Sequence, residues 1–245
     1  MLKIKSTPCW IICTPRSGST YLSKILNDTN LFNPCFSEYL GWKKMKFIHP
    51  DDLKKFAPRF CKVLHVHLNR IFYRTNFLQD VSPEHEIQFM KPTKECRLFI
   101  ESCLPGVRFV FINRVDTIAQ AVSYCLAAEI SKIKGHSFFQ MNSKEQQTEF
   151  QNTIVSVSDE TLFSFFKVCI AYRNVWDDFL EGSNCFKINY EDISEEKIGG
   201  LLDYLGFPNQ KVSCDVSTFT AASSRIDVSD FYQRLRSIAN FQSMY

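Results

Sequence analysis

The segment Cys9–Leu26 constrains this chain most tightly. Cys9-Trp-Ile-Ile-Cys13 is a short apolar run, the pattern of a buried strand. Tyr21, Leu22, Ile25 and Leu26 then recur at helical spacing. Between them lies Thr14-Pro-Arg-Ser-Gly-Ser-Thr20, a tight loop of small and polar residues. A strand running through such a loop into a helix N-terminus makes an anion site. The first helical amides lack intrahelical acceptors, and the helix dipole adds partial positive charge. Arg16 adds a full charge and a planar fork suited to phosphate or sulfate oxygens. The chain has only eight glycines, so Gly18 inside this loop carries meaning.

Further strands and helices follow. Glu86–Lys91 reads as a strand ended by Pro92. Val107–Ile112 is a stronger one, introduced by Pro105-Gly106 and ending in Asn113-Arg114. Asp116 is placed as the N-cap of a helix with Ile118, Ala121, Val122, Cys125 and Leu126 on one face. Glu160–Leu180 predicts a long helix, Cys185–Tyr190 a strand, and Glu195–Leu205 a helix closed by Gly206. A last helix is expected over Ser229–Ile238, short helices and loops over 41–85, and a polar, loop-like stretch with a short helix over 131–158. Strands alternating with helices predict an α/β fold: one P-loop-like domain over 1–245, with a mostly parallel central sheet flanked by helices. Ligands of such sheets bind beyond the carboxyl ends of the strands. The opening loop, Lys91 and Asn113-Arg114 all fall at strand ends, which converges them on one crevice.

Composition narrows the function. With 45% hydrophobic residues and 23 phenylalanines the chain is globular. A net charge of +3 gives no basis for a nucleic-acid binder, though it suits a small anionic ligand. Lys43, Lys44 and Lys46 read as a solvated face. The ten cysteines are scattered, without a Cys-x-x-Cys pair or zinc-finger spacing, so they read as reduced thiols of a cytoplasmic protein. His65 and His67 share one side of an extended segment but have no third ligand nearby, and no metal is expected. No window reaches the roughly 18 apolar residues of a membrane span.

The loop is not a Walker A loop, which needs a glycine ahead of Arg16 and a lysine after Gly18. A tyrosine-phosphatase loop is excluded too, because Cys13 lies only three residues before Arg16. With one glycine it is no dinucleotide fingerprint.

Thr14-Pro-Arg-Ser-Gly-Ser-Thr20 resembles the 5′-phosphosulfate loop of sulfotransferases that use 3′-phosphoadenosine 5′-phosphosulfate (PAPS). Asn113-Arg-Val-Asp-Thr-Ile-Ala-Gln-Ala-Val-Ser123 looks like the family's second element, a strand-end arginine and a helix serine that bind the donor's 3′-phosphate. Its wording is most similar to the bacterial trehalose 2-sulfotransferase-like group. Phe186-Lys-Ile-Asn-Tyr-Glu-Asp-Ile193 resembles the family's late strand and its Tyr-Glu-Asp-Leu segment.

The resemblance implies an enzyme that moves a sulfuryl group from PAPS to an acceptor hydroxyl, on a carbohydrate or glycolipid, without a metal. It assigns Arg16, Ser17, Gly18, Ser19 and Thr20 to the phosphosulfate, and Arg114 and Ser123 to the 3′-phosphate. Glu38 stands nearest the glutamate base of a Pro-x-Glu-Phe context, with two extra residues between it and Pro34. Lys91, at a strand end like the family's Gly-Lys segment, is the expected contact to the leaving oxygen or acceptor. Arg225 stands in for a late phosphate-binding arginine, followed by Arg234 on the final helix. The related group often forms dimers, so a homodimer is an expectation. A nucleotide-binding scaffold without transferase activity is the alternative.

Overall fold

The computed structural model of the protein describes residues 7–32, 59–64, 93–135, 145, 148–149, 152–212 and 228–242. Four strands form one all-parallel sheet: β1 (Cys9–Cys13), β2 (Phe60–Leu64), β3 (Arg108–Asn113) and β4 (Cys185–Asn189), ordered β2-β1-β3-β4. The longer helices are α1 (Ser19–Asp28), α2 (Lys94–Cys103), α3 (Thr117–Lys134), α4 (Asp159–Leu180), α5 (Glu195–Leu205) and α6 (Ser229–Gln242). The class is α/β, a parallel sheet flanked by helices.

The described residues are organised as two compact units, one from 1–115 with 172–214 and one from 116–171 with 215–245. The first holds the sheet. Side chains alternate across a strand, so Trp10, Ile12, Cys61, Val63, Phe109 and Phe111 share one face. They bury Cys96 and Ile100 of α2 and Trp176, Phe179 and Leu180 of α4. On the other face Phe60 meets Phe32 edge-on, Phe32 meets Phe207, and Phe186 meets Tyr204 of α5. Arg97 locks α2 to the end of α4. It is 5% exposed, and it donates to the carbonyls of Phe179 and Glu181, both at 3.0 Å, and to Glu101 at 2.6 Å. The second unit has its own core of Val122, Cys125 and Leu126 from α3, Leu162 and Phe165 from α4, and Leu235 from α6.

Local chemistry sets several boundaries. Asp116 caps α3, accepting from the Ala119 amide at 2.8 Å. Ser194 caps α5 through the Lys197 amide at 3.2 Å, and Gly206 closes it at φ 91°. Two expectations are corrected. Residues 60–64 form a strand, not helix or loop, because β1 supplies a parallel partner from far away in sequence. The helix after Asp116 runs on to Lys134: Ile130 is fully buried while Lys132 faces solvent, so the polar residues there are the outer face of an amphipathic helix. The helix α2 lies where no element was expected. The expected strand Glu86–Lys91 lies outside the described residues.

Candidate functional site

Because the sheet is parallel, all four strands end at the same edge. Cys13 lies opposite both Leu64 and Ile112, and Asn113 opposite Asn189. The β1–α1 loop, the Asn113–Val115 bend and the Tyr190–Asp192 turn are thus brought together at the carboxyl edge of the first unit. Trp176 fixes the start of the loop by donating its indole N–H to the Cys13 carbonyl at 3.2 Å.

The loop is held by its own small residues. Ser17, fully buried, directs both its hydroxyl (2.8 Å) and its amide (3.4 Å) to the Thr14 carbonyl. Arg16 sits at φ 60° and Gly18 at φ 85°, two left-handed residues that turn the chain into α1. Gly18 is the N-cap of α1 and, as glycine, contributes no side-chain cap to that end. A Cβ on Gly18 would run into Cδ2 of Tyr190 and lie 2.8 Å from its Cε2. Glycine is therefore required twice, for its backbone angle and for the aromatic edge against it.

Two guanidinium groups serve this edge. Arg114 stands over the Tyr190 ring, 5.3 Å from its centroid, with its side chain 13% exposed. Its Nε is buried and has no hydrogen-bond partner among the described residues; Glu191 Oε1 is 3.9 Å away. Burial pushes Arg16 down to about 10, and the positive charge of Arg114 pushes the same way; Tyr190 opposes both. Arg16 remains a cation at neutral pH, and the repulsion between the two guanidinium groups is the kind that a bound anion relieves.

A residue not singled out in the sequence joins them. Lys62, in the middle of β2 and 5% exposed, donates Nζ to Thr20 Oγ1 at 3.0 Å in the first turn of α1. Its signal was a lone lysine inside the apolar run Phe60–Leu64, which becomes informative only once that run is known to be a strand.

Of the other expected site residues, Ser19 lies buried and Thr20 exposed in the first turn of α1. Ser123 is 2% exposed on α3, in the second unit. Arg234 is engaged in that unit by Asp159, Asp230 and the Val157 carbonyl, a structural set of partners. Glu38, Lys91 and Arg225 lie outside the described residues, as do His65 and His67. Among the described residues no group of three His, Cys, Asp or Glu could hold a metal ion, and no helix is long and apolar enough to cross a membrane.

A groove of about 640 Å³ opens at the opposite, amino-terminal edge, lined by Pro8, Arg59, Arg108 and Asn184 among others. Arg108 there lies over the Tyr204 ring at 5.3 Å. Strand entry ends are not where parallel sheets place ligand chemistry, and the carboxyl edge carries the convergent cations. Compared with known proteins, the chain matches no family model and no curated sequence.

Proposed function

We propose that this protein is a PAPS-dependent sulfotransferase that transfers a sulfuryl group to the hydroxyl of a carbohydrate or glycolipid in the cytoplasm. One observation supports the reading: Arg16 and Arg114, which follow β1 and β3 at the carboxyl edge, are close enough to repel one another beside the N-terminus of α1, whose N-cap Gly18 has no side chain to cap it. That pairing suits a ligand with an anionic group at each end. The cradle closed by Gly18 and Tyr190, and the buried Nε of Arg114, fit such a ligand.

The donor, when bound, supplies a sulfuryl group on a phosphate leaving group. Arg16 and the amides of residues 18–20 would hold the phosphosulfate, while Ser17, expected among these contacts, turns its amide and hydroxyl to the Thr14 carbonyl and shapes the loop instead; Lys62, beside Thr20, would add charge where the leaving oxygen becomes more negative. Arg114 and Ser123 are assigned to the 3′-phosphate, and Lys91 and Arg225 to further donor or acceptor contacts. Glu38 is assigned as the base that takes the acceptor's proton while the acceptor oxygen bonds to sulfur and the bond to the phosphate oxygen breaks. Much of the acceleration rests on preorganised charge, as in phosphoryl transfer.

The test is release of 3′-phosphoadenosine 5′-phosphate from PAPS with a panel of sugar and glycolipid acceptors. The reading fails if neither PAPS nor its product binds the intact protein. Binding of PAPS without turnover on any acceptor selects the scaffold alternative. Arg114→Ala should weaken donor binding more than acceptor binding, and Glu38→Gln should lower turnover while sparing donor affinity.

A further inference from the structure

We infer that Glu191 and Arg173 are positioning residues for Arg114, acting through the two sides of a single peptide bond. The inference rests on reading the carboxyl edge as the donor site. The Arg114 carbonyl accepts from Arg173 Nη2 at 2.8 Å, and the Val115 amide donates to Glu191 Oε2 at 3.0 Å. These groups belong to one planar unit, so the two bonds fix its rotation and with it the direction in which Arg114 leaves the strand. The hold is needed there. Asn113 opposite Asn189 is the last registered pair of β3 and β4, so the sheet ladder no longer constrains residue 114. One charged partner comes from α4 and the other from the turn after β4.

The geometry also explains why an acid can sit in a site for anions. Glu191 accepts its close hydrogen bond from the Val115 amide, and its other oxygen stays 3.9 Å from Arg114 Nε. A carboxylate paired bidentately with the guanidinium would occupy the donors that a ligand needs. Here the acid orients the arginine while leaving Nε without a hydrogen-bond partner among the described residues. The Tyr190 ring supports the guanidinium from one side.

The test compares Glu191→Ala, which removes the acceptor for the Val115 amide, with Glu191→Gln, which keeps an acceptor oxygen and removes the charge. Without ligand, hydrogen exchange at Val115 followed by NMR should speed up about tenfold in E191A and stay close to the unmodified protein in E191Q. With 3′-phosphoadenosine 5′-phosphate as probe, calorimetry on the full chain should show about tenfold weaker binding in E191A and recovery to within about threefold in E191Q. Arg173→Ala should behave like E191A. On an Arg114→Ala background, read at probe concentrations that capture the residual affinity, E191A should add no further loss. Unchanged exchange at Val115 in E191A overturns the clamp. Equal losses with and without Arg114 overturn the positioning role. If the unmodified protein does not bind the probe, the donor reading fails by itself, and the exchange arm still decides the clamp.

Discussion

Tyr190 lies with its ring edge against Gly18, where a β-carbon would have to stand. Two segments from opposite ends of the first unit are thereby matched: the turn after β4 closes on the loop after β1.

Gly18→Ala breaks this match and also forces a side chain into φ 85°. Chemical denaturation should show a loss of about 1–3 kcal/mol, with binding of 3′-phosphoadenosine 5′-phosphate abolished. Adding Tyr190→Ala should restore part of the stability, since it removes the collision but not the backbone strain, and should not restore binding. Full recovery of stability would show that the φ value costs nothing.

Lys62→Met keeps the length of the side chain and removes a buried charge. The partner left behind, Thr20 Oγ1, is on an exposed residue that water can reach, so unfolding free energy should fall by no more than about 1 kcal/mol. Affinity for the same probe should fall about three- to tenfold, read by calorimetry, because a cation beside the first turn of α1 is lost. Unchanged affinity would make Lys62 a structural tie between β2 and α1.

Arg97→Met should behave in the opposite way. It leaves the Phe179 and Glu181 carbonyls and the Glu101 carboxylate without their shared donor. Glu101 is about one-third exposed and water can compensate it, so a loss of about 2–4 kcal/mol is expected in urea unfolding. Probe affinity of the folded fraction should be unaffected, since none of these groups touches the carboxyl-edge loop.

Burial pushes the Cys125 thiol from 9.0 up to about 12, helped by Glu129 and opposed by Lys132 and Arg234. A thiol whose proton is held more tightly in the folded state contributes stability that is fully present below pH 9 and is lost as pH rises from 9.0 to about 12. The decline should approach about 1.4 kcal/mol per pH unit for this one group. Urea unfolding at pH 8 and pH 10 should therefore show a smaller decline in Cys125→Ala than in the unmodified protein. Identical declines would remove Cys125 from the alkaline transition.

Much of the fold was legible where local chemistry is self-sufficient. Ser194 and Gly206 bracket α5, and the expected span Glu195–Leu205 is the observed one. Asp116 capped α3 as its spacing implied, but the end of that helix was hidden, because Glu129, Ser131 and Lys132 look like loop residues until their solvent-facing side is known. Phe60–Leu64 was unreadable for a different reason. Its strand character comes from pairing with Cys9–Cys13, which local pattern does not reveal. At the site, Arg16, Gly18 and Arg114 were marked by motif and strand ends. Lys62, Arg173 and the clamp by Glu191 depend on side chains that meet only in three dimensions.

The central strand acquires its neighbours late. β1 leaves the ribosome before either of its partners: Phe60 begins one, Arg108 the other, and Tyr190 reaches Gly18 only after β4 has followed. Non-local parallel pairing of this kind is slow, because chain closure comes before the contacts that reward it. The loop after β1 therefore gains its aromatic wall only after residue 190 has been made. Nascent chains ending before Tyr190 lack the aromatic wall of the loop.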